Sequence, residues 1–415
     1  MTGRAAGCVV RAAGDVLVAT LPAARVGDGV RIRPASGTCL LGRIAAVERG
    51  RATIAPFDSL AGVAIGDRVE HAPDALAFPA GFVALGRALD PAGRALDGGT
   101  DPPMRGGQPN AAPAPAERAR VEDPFWTGIR AIDGLLMLGR GARIGIFGAP
   151  GAGKTTLLET IAAGARGDAV VVALVGERGR EAQAWFERID RRTTIVCATS
   201  DRSAAERVRA ADAAMTQAQA LAAAGAHVVL IVDSLARYAA ALREQRVAFG
   251  EPSGRGGYPA GVWAELARYL ERAGNGARGS ITLLATVLTD GADEREPLGE
   301  AARSLLDGHI VLSSALARAG RYPAIDVLES TSRTMDLVTG GAHAASARRI
   351  RAALALLAET KDARALGLAD LDATLAAAVG AEPAIGRFLA QRDPSPPAAT
   401  LAALHSVAAL LEDRA

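Results

Sequence analysis

The sequence predicts an α/β protein with a small N-terminal β-barrel, a central phosphate-loop domain on a mainly parallel sheet, and a helical C-terminal region. Three observations predict it. Residues 1–80 hold short β-rich runs cut by glycine, proline or aspartate. From about Asp123 to Thr334, apolar runs alternate with helical stretches, as in a parallel sheet. From Ala344 onward the composition is helical, interrupted at Asp393-Pro394-Ser395-Pro396-Pro397.

The barrel expectation rests on runs such as Cys8-Val9-Val10-Arg11, Val16-Leu17-Val18-Ala19-Thr20, Val30-Arg31-Ile32-Arg33, Cys39–Ile44 and Ala52–Ala55. A connector follows over 81–122. Its stretch Gly98–Arg118 carries Pro102, Pro103, Pro109, Pro113 and Pro115, and reads as an extended or irregular linker. The central domain is expected over 123–343 and the helical domain over 344–415. No internal repeat is evident.

Bulk properties narrow the function. The chain has 415 residues, enough for two or three domains, and its 49% hydrophobic content supports a large core. A net charge of +2 recruits neither nucleic acid nor lipid by field alone. Aromatics at 4% argue against a base-stacking surface. Cys8, Cys39 and Cys197 are too scattered for a disulfide framework and read as thiols of a reducing cytosol. The opening residues are not followed by a signal-type apolar core, and no run of about 18 apolar residues predicts a membrane span. His71, His227, His309, His343 and His405 show no metal-ligand spacing and read as structural or surface residues. Trp126, Trp185 and Trp263 read as packing residues.

The most specific feature is Gly148-Ala149-Pro150-Gly151-Ala152-Gly153-Lys154-Thr155, a full match to the phosphate-loop pattern, with Thr156 next in line. The chain has only two lysines, Lys154 and Lys361, against 45 arginines (47 basic residues less 2). A compact ammonium suits a tight backbone nest around a polyphosphate better than a wide guanidinium. The run Ala142–Phe147 before the loop suits a buried strand, and Thr155–Ala163 after it a helix. Nucleoside triphosphate binding follows.

Thr155 offers a hydroxyl to Mg²⁺. Asp233 ends the run Val228–Val232, where ligands of parallel sheets sit, and suits the acidic partner of that metal. Glu177 ends the run Ala169–Gly176 and suits polarisation of the attacking water. Arg178 is open to three readings: a charge on the transferring phosphoryl group, an orienter of Glu177, or a solvated cation. Arg333 by composition alone is a surface cation. Gly254-Arg255-Gly256-Gly257-Tyr258 reads either as a solvated turn or as a moving loop facing a partner or pore.

Several stretches together resemble the ATPases of type III protein secretion, the injectisome and flagellar export enzymes related to rotary ATP synthase catalytic subunits. They are Leu85–Asp90, Thr127–Leu136, the phosphate loop, Gly176–Glu181, Val232–Tyr238, Leu306–Ser313 and Tyr322–Arg333. The resemblance implies a RecA-like ATPase domain using ATP and Mg²⁺, in a homohexamer with sites between subunits. It implies Glu177 as the catalytic carboxylate, Lys154 and Thr155 as phosphate and Mg²⁺ contacts, and Asp233 as the second acidic position. It implies that Arg333 reaches the adjacent subunit's site. It also implies a central stalk, a peripheral stator and chaperone–cargo complexes as partners, no nucleic acid, and a cytoplasmic place at the inner face of the inner membrane. Ala182–Phe186 is less charged than is usual in that family, Ser314 stands where arginine often follows the serine, and Lys361–Asp370 is shortened. Competing readings are a noncatalytic nucleotide-binding subunit, which Glu177 opposes, and a hexameric RNA translocase, which the low aromatic content opposes.

Overall fold

The structure, a computed structural model, describes residues 6–35, 37–104, 111–288, 297–366 and 372–412. The described strands, in chain order, start with β1 (Ala6–Ala13), β2 (Val16–Thr20), β3 (Gly29–Arg33), β4 (Leu40–Glu48), β5 (Arg51–Pro56) and β6 (Arg68–His71). Then come β7 (Arg87–Leu89), β8 (Pro124–Phe125), β9 (Leu138–Gly139), β10 (Arg143–Gly148), β11 (Ala169–Glu177), β12 (Thr193–Thr199) and β13 (His227–Asp233). The last are β14 (Gly274–Asn275), β15 (Ser280–Leu288), β16 (Gly308–Leu312) and β17 (Ile325–Ser332). The helices begin with α1 (Arg130–Leu135), α2 (Lys154–Gly164), α3 (Gly179–Phe186), α4 (Ala204–Ala223), α5 (Leu235–Ala248) and α6 (Ala260–Leu270). They end with α7 (Pro297–Leu305), α8 (Ser314–Arg318), α9 (Met335–Val338), α10 (Gly341–Glu359), α11 (Lys361–Ala365), α12 (Ala373–Leu389) and α13 (Pro397–Ala409). The architecture is thus an N-terminal six-stranded barrel, a central nucleotide-binding domain with a mostly parallel sheet, and C-terminal helices.

The chain forms two compact units, residues 1–113 with 169–272, and residues 114–168 with 273–415. In the first unit, β1–β6 close into a barrel in the order β1-β2-β5-β4-β3-β6. Alternation along the strands sends Val9, Leu17, Ile32, Ile44, Ile54 and Val69 inward, where they are fully buried. A two-residue turn with positive φ at Arg49 and Gly50 joins β4 to β5, and its twist matches that of the strands.

The barrel consists of two halves of one design. Gly27 N–H donates to Ile44 O at 2.8 Å, and Ile44 N–H donates to Asp28 O at 2.9 Å. Gly66 N–H likewise donates to Val9 O at 2.9 Å, and Val9 N–H to Asp67 O at 2.9 Å. Val9 and Ile44 each sit at a register shift in their strand. The sequence shows only Val26-Gly27-Asp28 against Ile65-Gly66-Asp67, too short to register as a repeat.

The same unit carries parallel strands in the order β13-β11-β12-β7. All nine residues of β11 are buried, as expected for a strand covered on both faces. The edge strand β7 comes from the stretch read as connector. Three residues are too few to show a period, but Asp97 holds Arg87 through bonds of 2.7 and 2.9 Å and folds the chain back beside it. Gln217 grips both backbone groups of Gly81, accepting at 2.6 Å and donating at 3.0 Å. Pro109 lies outside the described residues.

In the second unit, β10 lies between parallel β15 and β16, with β17 antiparallel beyond β16. Helix α1 packs on α12, where a Cβ on Gly134 would come within 2.6 Å of the Phe388 ring, so only glycine fits. Ile350, Leu375, Ile385, Leu389 and Leu404 form the buried faces of the C-terminal helices. Residues 367–370 of the shortened stretch lie outside the described ones.

Candidate functional site

The phosphate loop lies in the second unit. Strand β10 ends at Gly148, and α2 begins at Lys154. Gly151 (φ +81) and Gly153 (φ +90) occupy the left-handed region, so both positions need glycine. No side chain caps the start of α2, which leaves first-turn N–H groups for an anion. Lys154 Nζ donates to Gly148 O at 2.6 Å and Ala149 O at 2.7 Å, so the ammonium lies over the loop. Leu157, Leu158 and Ile161 anchor the helix in the core. Thr155 is half-buried in the first turn, and Thr156 is exposed.

A tyrosine stands beside this loop. The Tyr322 ring comes within 3.6 Å of where a Gly153 Cβ would lie. Tyr322 is 48% exposed and lines a cleft of about 550 Å³ with Arg130, Gln391 and Arg392. Gln391 holds the cleft wall. It donates through its N–H to Tyr322 O at 2.8 Å, and its side chain accepts from Arg130 N–H at 2.7 Å and donates to Gly128 O at 2.6 Å. An exposed aromatic face beside a phosphate loop has the chemistry to stack a purine.

The first unit gathers the carboxylates. Gly176, with φ +71, sits in the register shift at the end of β11 and turns the chain into Glu177. Its lack of a side chain also leaves room for Arg237, whose Cδ would lie 3.3 Å from a Cβ there. Arg237, in the first turn of α5, donates to Gly176 O and pairs through Nε with Glu177 Oε1 at 3.2 Å. Asp233 ends β13 opposite Leu174 and is buried. Ser234 caps α5 by accepting from Arg237 N–H at 3.2 Å.

Glu177 is buried, and burial pushes its carboxyl well above the usual carboxylate range. Its hydrogen bond to Glu181 and the nearby charge of Asp233 push the same way, and Arg237 opposes them. Glu181 moves down, chiefly through the bond with Glu177. The bond between them therefore favours the ionised form of Glu181 and the protonated form of Glu177. Such a group, once ionised, is a stronger base than an ordinary glutamate. Arg178 is exposed at the start of α3, and its N–H donates to Glu181 Oε2 at 3.4 Å. Of the three readings for its side chain, only exposure is evident.

Arg333 is exposed just past the end of β17. Its place follows from register. Gly148 pairs with Leu312 and Leu312 with Ile325, whereas Ile144 pairs with Gly308 and Gly308 with Ser332. Arg333 therefore stands at the Arg143 end of β10, and the phosphate loop at the Gly148 end. Five residue-to-residue steps separate those ends, about 16 Å at about 3.3 Å each.

Residues 128–332 match the nucleotide-binding domain of the ATP synthase alpha/beta family. The SPI-2 type 3 secretion system ATPase of Salmonella typhimurium is 44% identical over 352 residues, 83% of this chain and 81% of that protein. The chain belongs to the type III secretion ATPases. The flagellum-specific ATP synthase of Pseudomonas aeruginosa is 40% identical over 347 residues, 81% of this chain and 77% of its own. Among solved structures, the assembled ATPase EscN of the enteropathogenic E. coli type III secretion system is 35% identical, with a TM-score of 0.90 over 97% of this chain and 100% of that one. EscN has also been solved in complex with its central stalk EscO.

For this secretion ATPase, nucleotide use is settled by family, and the structure adds residues that the sequence reading missed. Tyr322, one of only four tyrosines, opens the Tyr322–Arg333 stretch that carried part of the resemblance, but nothing in the sequence set it beside the phosphate loop. Arg237 and Glu181 each lie four residues beyond a strand-terminal carboxylate, one helical turn on. The expected ion contacts, the Thr155 hydroxyl and the Asp233 carboxylate, are both hard oxygen donors of the kind Mg²⁺ prefers. Among the described residues no helix is long and apolar enough to cross a membrane.

Proposed function

We propose that this secretion ATPase acts as a homohexamer whose ATP hydrolysis drives protein export, releasing cargo from chaperones and unfolding it. Lys154 and the N–H groups of Gly151 and residues 153–155 hold the phosphates, and Tyr322 stacks the base. Thr155 and Asp233 would hold Mg²⁺, which neutralises charge on the phosphates when bound. Glu177 orients the attacking water and takes its proton, with Arg237 keeping the carboxyl aimed. Arg333 serves the neighbouring subunit's nucleotide.

The observation that carries this reading is the register that sets Arg333 about 16 Å from its own phosphate loop, beyond the reach of its side chain. Such an arginine is useful to hydrolysis only from an adjoining copy. The assembled state of EscN supports the hexamer, and EscO supports a central stalk as partner. A peripheral stator, chaperone–cargo complexes and a cytoplasmic position on the inner membrane complete the proposal. The flagellum-specific relative supports a second reading in which the exported cargo is flagellar.

Mixing Arg333→Ala with Glu177→Gln subunits tests the arrangement. Each variant alone should be nearly inactive, and the mixture should regain turnover, because an intact arginine then meets an intact carboxylate at some interfaces. A mixture as inactive as its components would place Arg333 outside the neighbour's site.

A further inference from the structure

Strand β10 has functional groups at both ends. Gly148 opens the phosphate loop, and Arg143 holds Asp307. Arg143 donates to Asp307 three times: N–H to Oδ2 at 2.9 Å, Nε to Oδ2 at 3.1 Å, and Nη2 to Oδ1 at 3.2 Å. Asp307 N–H donates back to Arg143 O at 2.8 Å. The Arg333 N–H donates to Asp307 O at 3.0 Å.

Both neighbours of Arg333 are also tied to the approach to β10. Ser332 Oγ donates to Met137 O at 2.7 Å, and Gly139 N–H donates to Thr334 Oγ1 at 2.9 Å. Three successive residues thus have anchored backbones or side chains, while the Arg333 guanidinium is exposed. A two-pronged guanidinium–carboxylate pair sets orientation as well as distance, which a single contact does not.

We propose that Asp307, gripped by Arg143, is a positioning residue for Arg333, and that β10 thereby couples a subunit's own phosphate loop to the arginine it offers its neighbour. This rests on the reading that Arg333 acts across the interface. On this proposal, a shift of β10 as its loop fills and empties would reach Arg143 and Asp307. The neighbour's arginine supply then tracks the nucleotide state of the subunit providing it.

The test uses full-length hexamers of Asp307→Asn and Arg143→Lys. Both should lower kcat about tenfold or more with little change in the KM for ATP, since a displaced charge weakens the transition state more than binding. Asp307→Asn mixed with Glu177→Gln should regain turnover as Arg333→Ala does, which a merely unfolded subunit would not do. Adding Asp307→Asn to Arg333→Ala should cost nothing further. Unchanged kcat in Asp307→Asn, failure to complement Glu177→Gln, or losses that multiply in the double variant would overturn the positioning role. If Arg333→Ala alone kept full turnover, the role of Arg333 itself would fall, and this inference with it. The two failures are told apart by that single variant.

Discussion

At the scale of residues, the proposed chemistry turns on how Glu177 is kept basic and then released. Burial and Glu181 favour its protonated form, and Arg237 favours its ionised form. Only the ionised form accepts a proton from water, so turnover should rise with pH through the titration of the pair. Glu181→Gln removes a negative neighbour and so lowers the Glu177 pKa. The acid limb of the kcat–pH profile should then move to lower pH, with a reduced rate on the plateau because the base is weaker. A limb that stays put would separate Glu181 from the mechanism. Glu177→Gln itself should still bind nucleotide yet not turn over, whereas Lys154→Ala should lose both, as equilibrium binding of a fluorescent nucleotide would show.

At the scale of elements, legibility in sequence tracked how local each feature is. The phosphate loop is a contiguous strand, turn and helix start, so its pattern alone identified it. The strand-end positions of Glu177 and Asp233 were legible because apolar runs end at them. Tyr322 was not, because its place beside Gly153 depends on packing between segments 169 residues apart (322 less 153). The two-fold design of the barrel lies in backbone bonds around Val9 and Ile44 and leaves little trace in side chains. Stacking by Tyr322 has a direct check. Tyr322→Ala should raise the KM for ATP by about tenfold, in line with the ~1–3 kcal/mol a base–aromatic stack contributes. Tyr322→Phe should keep it, and equal damage from both would point to the hydroxyl instead.

The turn before α1 makes a second prediction at this scale. Asp133 is fully buried and accepts from Thr127 N–H at 2.9 Å, Thr127 Oγ1 at 2.6 Å and Gly128 N–H at 2.9 Å. Burial nonetheless pushes its carboxyl up to about 7, with the three donors opposing. A raised carboxyl binds its proton in the folded chain at pH values where the unfolded chain has lost it. Its contribution is therefore greatest in acid and declines as pH rises from about 4 towards about 7. Asp133→Asn stays neutral, but its amide N–H meets the Gly128 N–H, at a cost of about 1–3 kcal/mol. Thermal melting should show that cost to be smaller at pH 8 than at pH 5.

At the scale of the whole molecule, the proposed hexamer divides each hydrolytic centre between subunits, and cooperativity follows from that division. On the proposal above, an arginine held in common with β10 registers the state of the loop at the strand's other end. Wild-type hexamers should then show sigmoidal dependence of rate on ATP. Weakening the Arg143–Asp307 pair should flatten the curve before it abolishes turnover. The discriminating variant is Arg143→Lys, which keeps the charge and loses the fork. Its Hill coefficient should fall towards unity while hexamers persist by light scattering. A coefficient unchanged from wild type, in a variant whose kcat has dropped, would mean that β10 supports the arginine without linking the sites.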